Sequence, residues 1–252
     1  MRLMTRFGNI TVKNLLATLF WVAAWHMLSL WVDNPLLLPG PVRVLGRFFA
    51  LMGEASFWEI TAASLGRILL GALGGMLLGT GLAVLTVASP LADALVAPMM
   101  TAIQAAPVAS FAILVLIWLD RDYVPVLICG MMVLPVVWSN VCTGIRQTDP
   151  QLLELAKVYR LPRRKVLQRI YVPSVLPYFR AACGSALGLG WKAGIAAEVL
   201  TVPKISIGKM ISESKLYLMT EDLFAWTLAV VLLSLVLQRL LLRLLRKGEG
   251  RA

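Results

Sequence analysis

Long apolar runs separated by short polar connections dominate this chain, and most runs approach the ~20 residues that cross a bilayer core as a helix. The pattern predicts about six transmembrane helices, at residues 14–32, 61–87, 109–119, 124–143, 174–200 and 223–245. The third is extended on its N-terminal side through residues 104–107, and we expect Pro90, Pro98 and Pro107 to break that region into short helices. The sequence therefore predicts an all-α, polytopic membrane protein.

Composition agrees with this pattern. Of the 252 residues, 59% are hydrophobic and 15% are charged, whereas soluble domains average roughly 45–50% apolar and about 25% charged residues. A membrane β-barrel would instead show short segments of alternating polarity. The three cysteines lie within apolar runs and His26 is the single histidine, so we expect inert core thiols and neither a metal nor a cofactor site.

The net charge of +11 is explained better by membrane topology than by nucleic-acid binding. Six spans place the N-terminus, residues 146–173 and the C-terminus on the same side of the membrane. Most Lys and Arg residues of the connections lie in these three segments. The opposite connections, at residues 33–60, 120–123 and 201–222, carry fewer. Because basic residues gather on cytoplasmic loops, we expect a multi-pass protein of the cell membrane, with both termini in the cytoplasm and an uncleaved first span.

A glycine strip marks the second span, where Gly71, Gly75 and Gly79 recur every four residues. Such a strip lets another helix approach closely. The neighbour can be a helix of the same chain or a helix of a second copy, and the spacing does not decide between them.

A basic polar island at residues 146–173 interrupts the apolar runs. Asp149 can cap a helix, and Pro150 suits the first helical position. Apolar residues then recur at helical spacing, at Leu152, Leu155, Ala156 and Tyr159. We expect this first short helix to end at Leu161 and Pro162, because a residue before proline is pushed out of the α conformation.

The island is predicted to continue as a second short helix that ends near Pro173, where the fifth span begins. Its basic residues surround an apolar face made by Val166, Leu167, Ile170 and Tyr171. The periodicity allows two interpretations: an amphipathic hairpin that rests on anionic lipid head groups, or an element that binds a protein partner.

The residue spacing in the island resembles the cytoplasmic EAA loop of ABC importer permeases. Glu154 and Ala156 stand where that loop has its Glu and second Ala, and Ile170-x-Val172-Pro173 follows at the family's distance. The resemblance implies that the first helix of the island is a coupling helix that sits in a groove of a cytoplasmic ATPase. The residues implied to dock are Asp149, Gln151, Leu152, Glu154, Leu155, Ala156, Tyr159 and Arg160.

Further motifs are similar to the sulfonate, taurine and nitrate branch of these permeases. They are Ser64-x-x-Arg67, Pro98 followed by Gln104-x-x-Pro107, and Trp191 with Glu198. The resemblance implies a type I ABC importer permease domain at about residues 61–245. It is preceded at residues 1–60 by a transmembrane helix and an external amphipathic segment, and followed at residues 246–252 by a cytoplasmic tail.

The resemblance also implies the function and the partners. The chain is expected to form the path for a small solute of the sulfonate, taurine, nitrate or vitamin-precursor type, and to be no enzyme itself. No G-x-x-x-x-G-K-[ST] run is found, which agrees with ATP hydrolysis on another chain. The implied partners are two copies of a cytoplasmic ABC ATPase, an extracytoplasmic solute-binding protein, a second permease chain in a homodimer, and membrane lipid, without nucleic acid.

Two positions depart from the family pattern. Arg160 replaces a glycine, and left-handed backbone costs an arginine roughly 1 kcal/mol or more. We therefore expect the turn to use Leu161 and Pro162 instead. Lys192 stands where many family members are apolar.

Charges inside the spans are expensive, at roughly 2.5–3.5 kcal/mol for each at a helix centre. Arg67, Lys192 and Glu198 fall within predicted spans, so the fifth span should lie inside the bundle and Glu198 should form an ion pair with Arg67. These charges either hold the structure together or line the solute path. For that path the sequence suggests Gln104, Pro107, Trp191 and Lys192.

Two other functions remain as alternatives at this level. A channel or secondary transporter would use the island only to bind lipid. An intramembrane enzyme would need a cluster of catalytic or metal-binding residues at one depth, and the scattered acidic residues with His26 supply none.

Overall fold

A computed structural model describes the backbone of residues 2–247 and the side chains of residues 16–240 and Arg243. This part of the chain is helical and contains no strand, which confirms the all-α class. Residues 248–252 of the predicted tail lie outside the described residues. The helices are α1 (Arg2–Val32), α2 (Pro41–Met52), α3 (Ala55–Ala88), α4 (Pro90–Ala105), α5 (Val108–Val115), α6 (Val124–Arg146), α7 (Pro150–Val158), α8 (Arg163–Val166), α9 (Val172–Thr201), α10 (Ile207–Leu216) and α11 (Thr220–Lys247), with a π-helical turn at Leu167–Tyr171 before α9.

The predicted spans correspond to α1, α3, the pair α4–α5, α6, α9 and α11. Among the described side chains, α3, α6 and Thr220–Leu240 of α11 are long and apolar enough to cross a membrane. The pair α4–α5 adds a fourth such segment if it is counted as one span, bent by 103°. The described apolar part of α1, Leu16–Val32, is shorter.

Prolines shape the bent pair, although one of them acts differently from the prediction. Pro90 is the first residue of α4 after the cap at Ser89, and Pro107 caps α5 at the bend. Pro98 lies inside α4 and does not break it. Apolar helices tolerate an internal proline because local adjustments and neighbouring groups satisfy the freed carbonyl.

The contacts divide the chain into two compact units. One unit contains residues up to Trp58 together with Met210–Val230. Within it, α2 buries Val44, Phe48 and Leu51 at helical spacing. Phe57 stacks on Trp226, and Arg47 forms a salt bridge with Asp222. This amphipathic α2 occupies the predicted segment outside the membrane.

Among the described residues, the other unit contains Glu59–Lys209 and residues 231–247. Its centre is α6 packed along α9, with α5 against both through a buried cluster. That cluster consists of Ala112, Val115, Val124, Ile128, Ala193 and Ala197. Small residues on α9 let these helices approach closely, so the least hydrophobic span lies largely inside the unit.

The glycine strip of α3 is used within the chain. A Cβ atom added to Gly71 would lie 2.3 Å from the Val126 carbonyl oxygen, and one added to Gly75 would lie 2.5 Å from the Gly130 oxygen. At Gly79 the corresponding distance to the Leu134 oxygen is 2.7 Å. The strip therefore packs directly on the backbone of α6.

This packing predicts a contrast between two adjacent glycines. Gly75→Ala should lower the free energy of unfolding by about 1–3 kcal/mol, because the new methyl group meets α6 backbone that cannot move aside. Gly74→Ala is the matched control, since a Cβ atom there meets nothing within 4 Å. Thermal unfolding of the purified chain measures both, and equal melting temperatures for the two variants would contradict the close α3–α6 contact.

Candidate functional site

The polar island begins with the capped helix α7. The Asp149 carboxylate accepts the N–H of Gln151 at 2.8 Å, and Pro150 is the first helical residue. The helix continues to Val158. The Asp149 side chain thus satisfies a backbone N–H at the start of α7. The start of this nine-residue helix is therefore stabilised within its own chain.

The turn after α7 is formed by Arg160, contrary to the prediction that it would use Leu161 and Pro162. Arg160 has a φ of 48°, in the left-handed region. The N–H of Leu161 donates to the Ala156 oxygen at 2.9 Å, and the N–H of Arg160 donates to the Lys157 oxygen at 3.0 Å. These two bonds define a Schellman motif, which satisfies the last carbonyls of the helix and offsets the strain at Arg160.

The second short helix predicted in the island is not a separate element. α8, the π-helical turn and α9 follow one another without a break from Arg163 to Thr201. Pro173 therefore lies inside this continuous helix, two residues after the π-helical turn, where local adjustment of the hydrogen bonding accommodates its missing N–H. The fifth span thus extends into the island as one continuous helix.

One side of α7 is apolar and exposed. The relative exposure is 46% for Leu152, 57% for Leu155, 78% for Val158 and 71% for Tyr159, and Glu154 is exposed beside them. We call these five residues the docking surface. Val158 was missed by sequence reasoning, although its spacing of three from Leu155 gave a signal. Exposed apolar side chains clustered on one short helix indicate a partner.

The remaining residues predicted to dock have different surroundings. Gln151 and Arg160 are exposed at the two ends of α7, and Asp149 is exposed but occupied as the cap. Ala156 is only 4% exposed, which corrects its assignment as a docking residue. It faces its own chain, and its carbonyl holds the turn.

The base of the island is attached to two neighbouring helices. Tyr178 on α9 donates its hydroxyl to the Gln147 Oε1 atom at 2.7 Å, and its ring covers Gly144. Arg146 at the end of α6 forms an ion pair with Asp93 near the start of α4, with 3.2 Å between Nη2 and Oδ2. A displacement of α7 would therefore reach α4, α6 and α9.

A buried charge cluster lies inside the bundle. Glu198 has no exposed surface, and its Oε1 atom is 3.2 Å from Nη1 of Arg67. Its Oε2 atom accepts the Ser64 hydroxyl at 2.8 Å and the Gly208 N–H at 3.2 Å. The structure thus brings together the two charges that the sequence suggested as an ion pair.

The cluster also includes backbone groups that the sequence did not suggest. The Ile207 N–H donates to the Ser64 hydroxyl oxygen at 2.9 Å, so the first two amides of α10 both point into the cluster. A Cβ atom on Gly208 would lie 2.3 Å from Cβ of Glu198. Only glycine allows this approach. Ser64 was noted in the sequence as part of a motif, without this role.

Three of the four residues suggested for the solute path are exposed: Gln104, Pro107 and Lys192. Trp191 is 1% exposed, and this corrects its assignment, because a side chain packed inside the unit cannot line a path in this conformation. Among the described residues its indole N–H is buried without a hydrogen-bond partner.

Lys192 belongs to an exposed stripe along α9, a helix whose other faces are largely buried. The stripe consists of Ala181, Ser185, Leu189, Lys192, Ala196 and Leu200, which recur every three or four residues. Across the described side chains, no group of three or more His, Cys, Asp or Glu residues that could hold a metal ion comes together.

Several known proteins are similar to this chain over most of its length. The taurine transport system permease protein TauC of Escherichia coli (strain K12) is 24% identical over 236 residues, which cover 91% of this chain and 84% of TauC. The putative aliphatic sulfonates transport permease protein SsuC of Bacillus subtilis (strain 168) is 25% identical, covering 85% of this chain and 78% of SsuC. The riboflavin transport system permease protein RibX of Chloroflexus aurantiacus is 27% identical, and the match covers 96% of this chain and 90% of RibX.

The model of one protein family, the binding-protein-dependent transport system inner membrane component, matches residues 71–247. The match includes the exposed helix α7, the buried Glu198 and the exposed stripe of α9. The chain therefore belongs to this family and is a permease subunit of an ATP-driven ABC importer.

Proposed function

We propose that ATP hydrolysis on a partner chain drives import through this permease, with the docking surface of α7 as the contact. The observation that supports this most directly is the exposed apolar face of a short helix whose ends are both satisfied within the chain. A helix built in this way loses little conformational freedom when a partner covers it, because it is already ordered.

The attachments of the island provide a route for the movement. When two ATPase copies close, α7 is displaced, and the contacts at Arg146 and Tyr178 pass this displacement to α4 and α9. Because α9 packs along α6, the helices move as a group between inward-facing and outward-facing states. Two permease chains form the path as a homodimer, both termini lie in the cytoplasm, and an external binding protein delivers the solute.

We further propose that the exposed stripe of α9 faces the path and that the solute is a small anion. A lysine facing hydrocarbon would cost roughly 2.5–3.5 kcal/mol, so the exposed Lys192 requires water or a charged ligand. The positive charge of its ammonium group would attract an anion, and this attraction does not require a dedicated binding pocket. TauC and SsuC are named for taurine and aliphatic sulfonates, which carry a sulfonate group and agree with this charge.

The docking proposal predicts the effect of charge reversal at Glu154. Glu154→Arg and Leu155→Asp should each weaken assembly with the ATPase at least about 30-fold, as at interface hot spots. Co-purification with the cytoplasmic ABC ATPase measures assembly. Glu59→Arg is the matched control, because Glu59 is equally an exposed acidic residue but lies at the opposite end of α3 from the island. Full assembly of both α7 variants would contradict docking through this surface.

The path proposal predicts a charge requirement at Lys192. Lys192→Met should reduce import of the anion about 10- to 100-fold, the contribution of a hydrogen bond to a charged group, while Lys192→Arg keeps most of the activity. Uptake into proteoliposomes, tested with taurine, an alkanesulfonate and riboflavin, provides the measurement. If Lys192→Met imports its best solute at the unaltered rate and the Glu154 variants still lose assembly, the anion proposal fails and the docking proposal stands.

A further inference from the structure

An apolar groove of about 670 Å³ lies among α3, α6, the π-helical turn and the start of α9. Among the side chains that line it, only Thr80 and Tyr171 carry a polar atom. The Thr80 hydroxyl donates its hydrogen to the Met76 oxygen of its own helix at 2.7 Å and can therefore only accept a hydrogen bond from a ligand. The groove therefore suits a hydrocarbon chain and offers little to a polar solute.

The groove opens at the island side of the unit. It reaches Ala88, the last residue of α3, and Ile145, the penultimate residue of α6. On the third side it is lined by Leu167, which opens the π-helical turn directly after α8. The end of α3, the end of α6 and the start of the π-helical turn thus lie together along one groove, next to the island.

Two arginines lie at the island end of the groove. Arg163 and Arg164 precede Leu167 by four and three residues, so they lie one helical turn beyond it on the same face. Both are exposed, and neither forms an ion pair with a described acidic residue. Arg169 is exposed as well, but it lies inside the π-helical turn and not beyond the end of the groove.

We propose that the groove holds an acyl chain of an anionic phospholipid whose phosphate binds Arg163 and Arg164. Bilayer hydrocarbon is as apolar as the groove, so burial alone gives no preference for one lipid over another. The selection therefore comes from the charges, at about fivefold for each basic residue near the surface. Because the lipid touches α3, α6 and α9 together, it would hold them in one arrangement beside α7. This site is separate from the docking surface and from the exposed stripe of α9.

Native mass spectrometry of the purified full chain tests the proposal. The chain is exchanged into detergent containing equal amounts of phosphatidylglycerol and phosphatidylcholine, and the retained lipids are counted. We expect retention of phosphatidylglycerol about 25-fold above phosphatidylcholine, and loss of most of this preference in Arg163→Gln/Arg164→Gln. Thr80→Trp, which fills the groove without changing the charge, should lower the amount of retained lipid.

The matched control is Arg239→Gln/Arg243→Gln, which removes the same charge from two exposed arginines of α11, a helix that does not line the groove. This variant should keep the preference within about twofold. The proposal is overturned if both double variants lose the preference equally, since the charge would then act without the groove. Disulfide formation between two copies at Leu77→Cys would also overturn it, because a second chain rather than a lipid would cover the groove.

Discussion

A fully buried carboxylate at Glu198 is the constraint on which the rest of the structure depends. In a membrane interior an unpaired charge is expensive, and the protein must provide partners from elsewhere in the chain. Arg67 and Ser64 supply them from α3, and Gly208 supplies a backbone N–H from α10. One acidic residue thereby fixes the relation of α3, α9 and the start of α10, and it forces position 208 to be a glycine.

The orientation of α9 follows from this cluster. With Glu198 turned inward and small residues packed on α5 and α6, the helix leaves one stripe exposed, and Lys192 is on that stripe. Tyr178 attaches the same helix to the base of the island. At 1.5 Å per residue, Tyr178 and Glu198 are about 30 Å apart, so a single continuous helix connects the island with the buried cluster. From Arg163 to Thr201 no non-helical residue interrupts this connection.

Much of this arrangement could be predicted from the sequence, because hydropathy and charge act through general rules. The lengths of the apolar runs predicted the spans, and the Asp149-Pro150 pair predicted the start of α7. The energetic penalty for a charge inside the membrane predicted Arg67 as the partner of Glu198. The amides of Ile207 and Gly208 could not be predicted in the same way, because every residue has a backbone N–H and only the fold selects two of them.

The corrected predictions have physical explanations of the same kind. Arg160 takes the left-handed conformation because the two hydrogen bonds of the Schellman motif outweigh a strain of about 1 kcal/mol. Trp191 was expected to line the path, and Ala156 to contact the ATPase, yet both are buried. In each case a motif similar to the family suggested a role, while the direction of the side chain depends on contacts that only the folded chain defines.

A double-mutant cycle at Arg67 and Glu198 tests the central constraint most directly. Each single change, Arg67→Met or Glu198→Gln, leaves the other group buried with its main partner missing, so each should lower the free energy of unfolding by about 3–5 kcal/mol. The double variant removes both charges and should recover much of that loss, giving a coupling of about 1.5 kcal/mol or more between the two sites. Effects that simply add, or a Glu198→Gln variant that folds and transports without loss, would contradict the account.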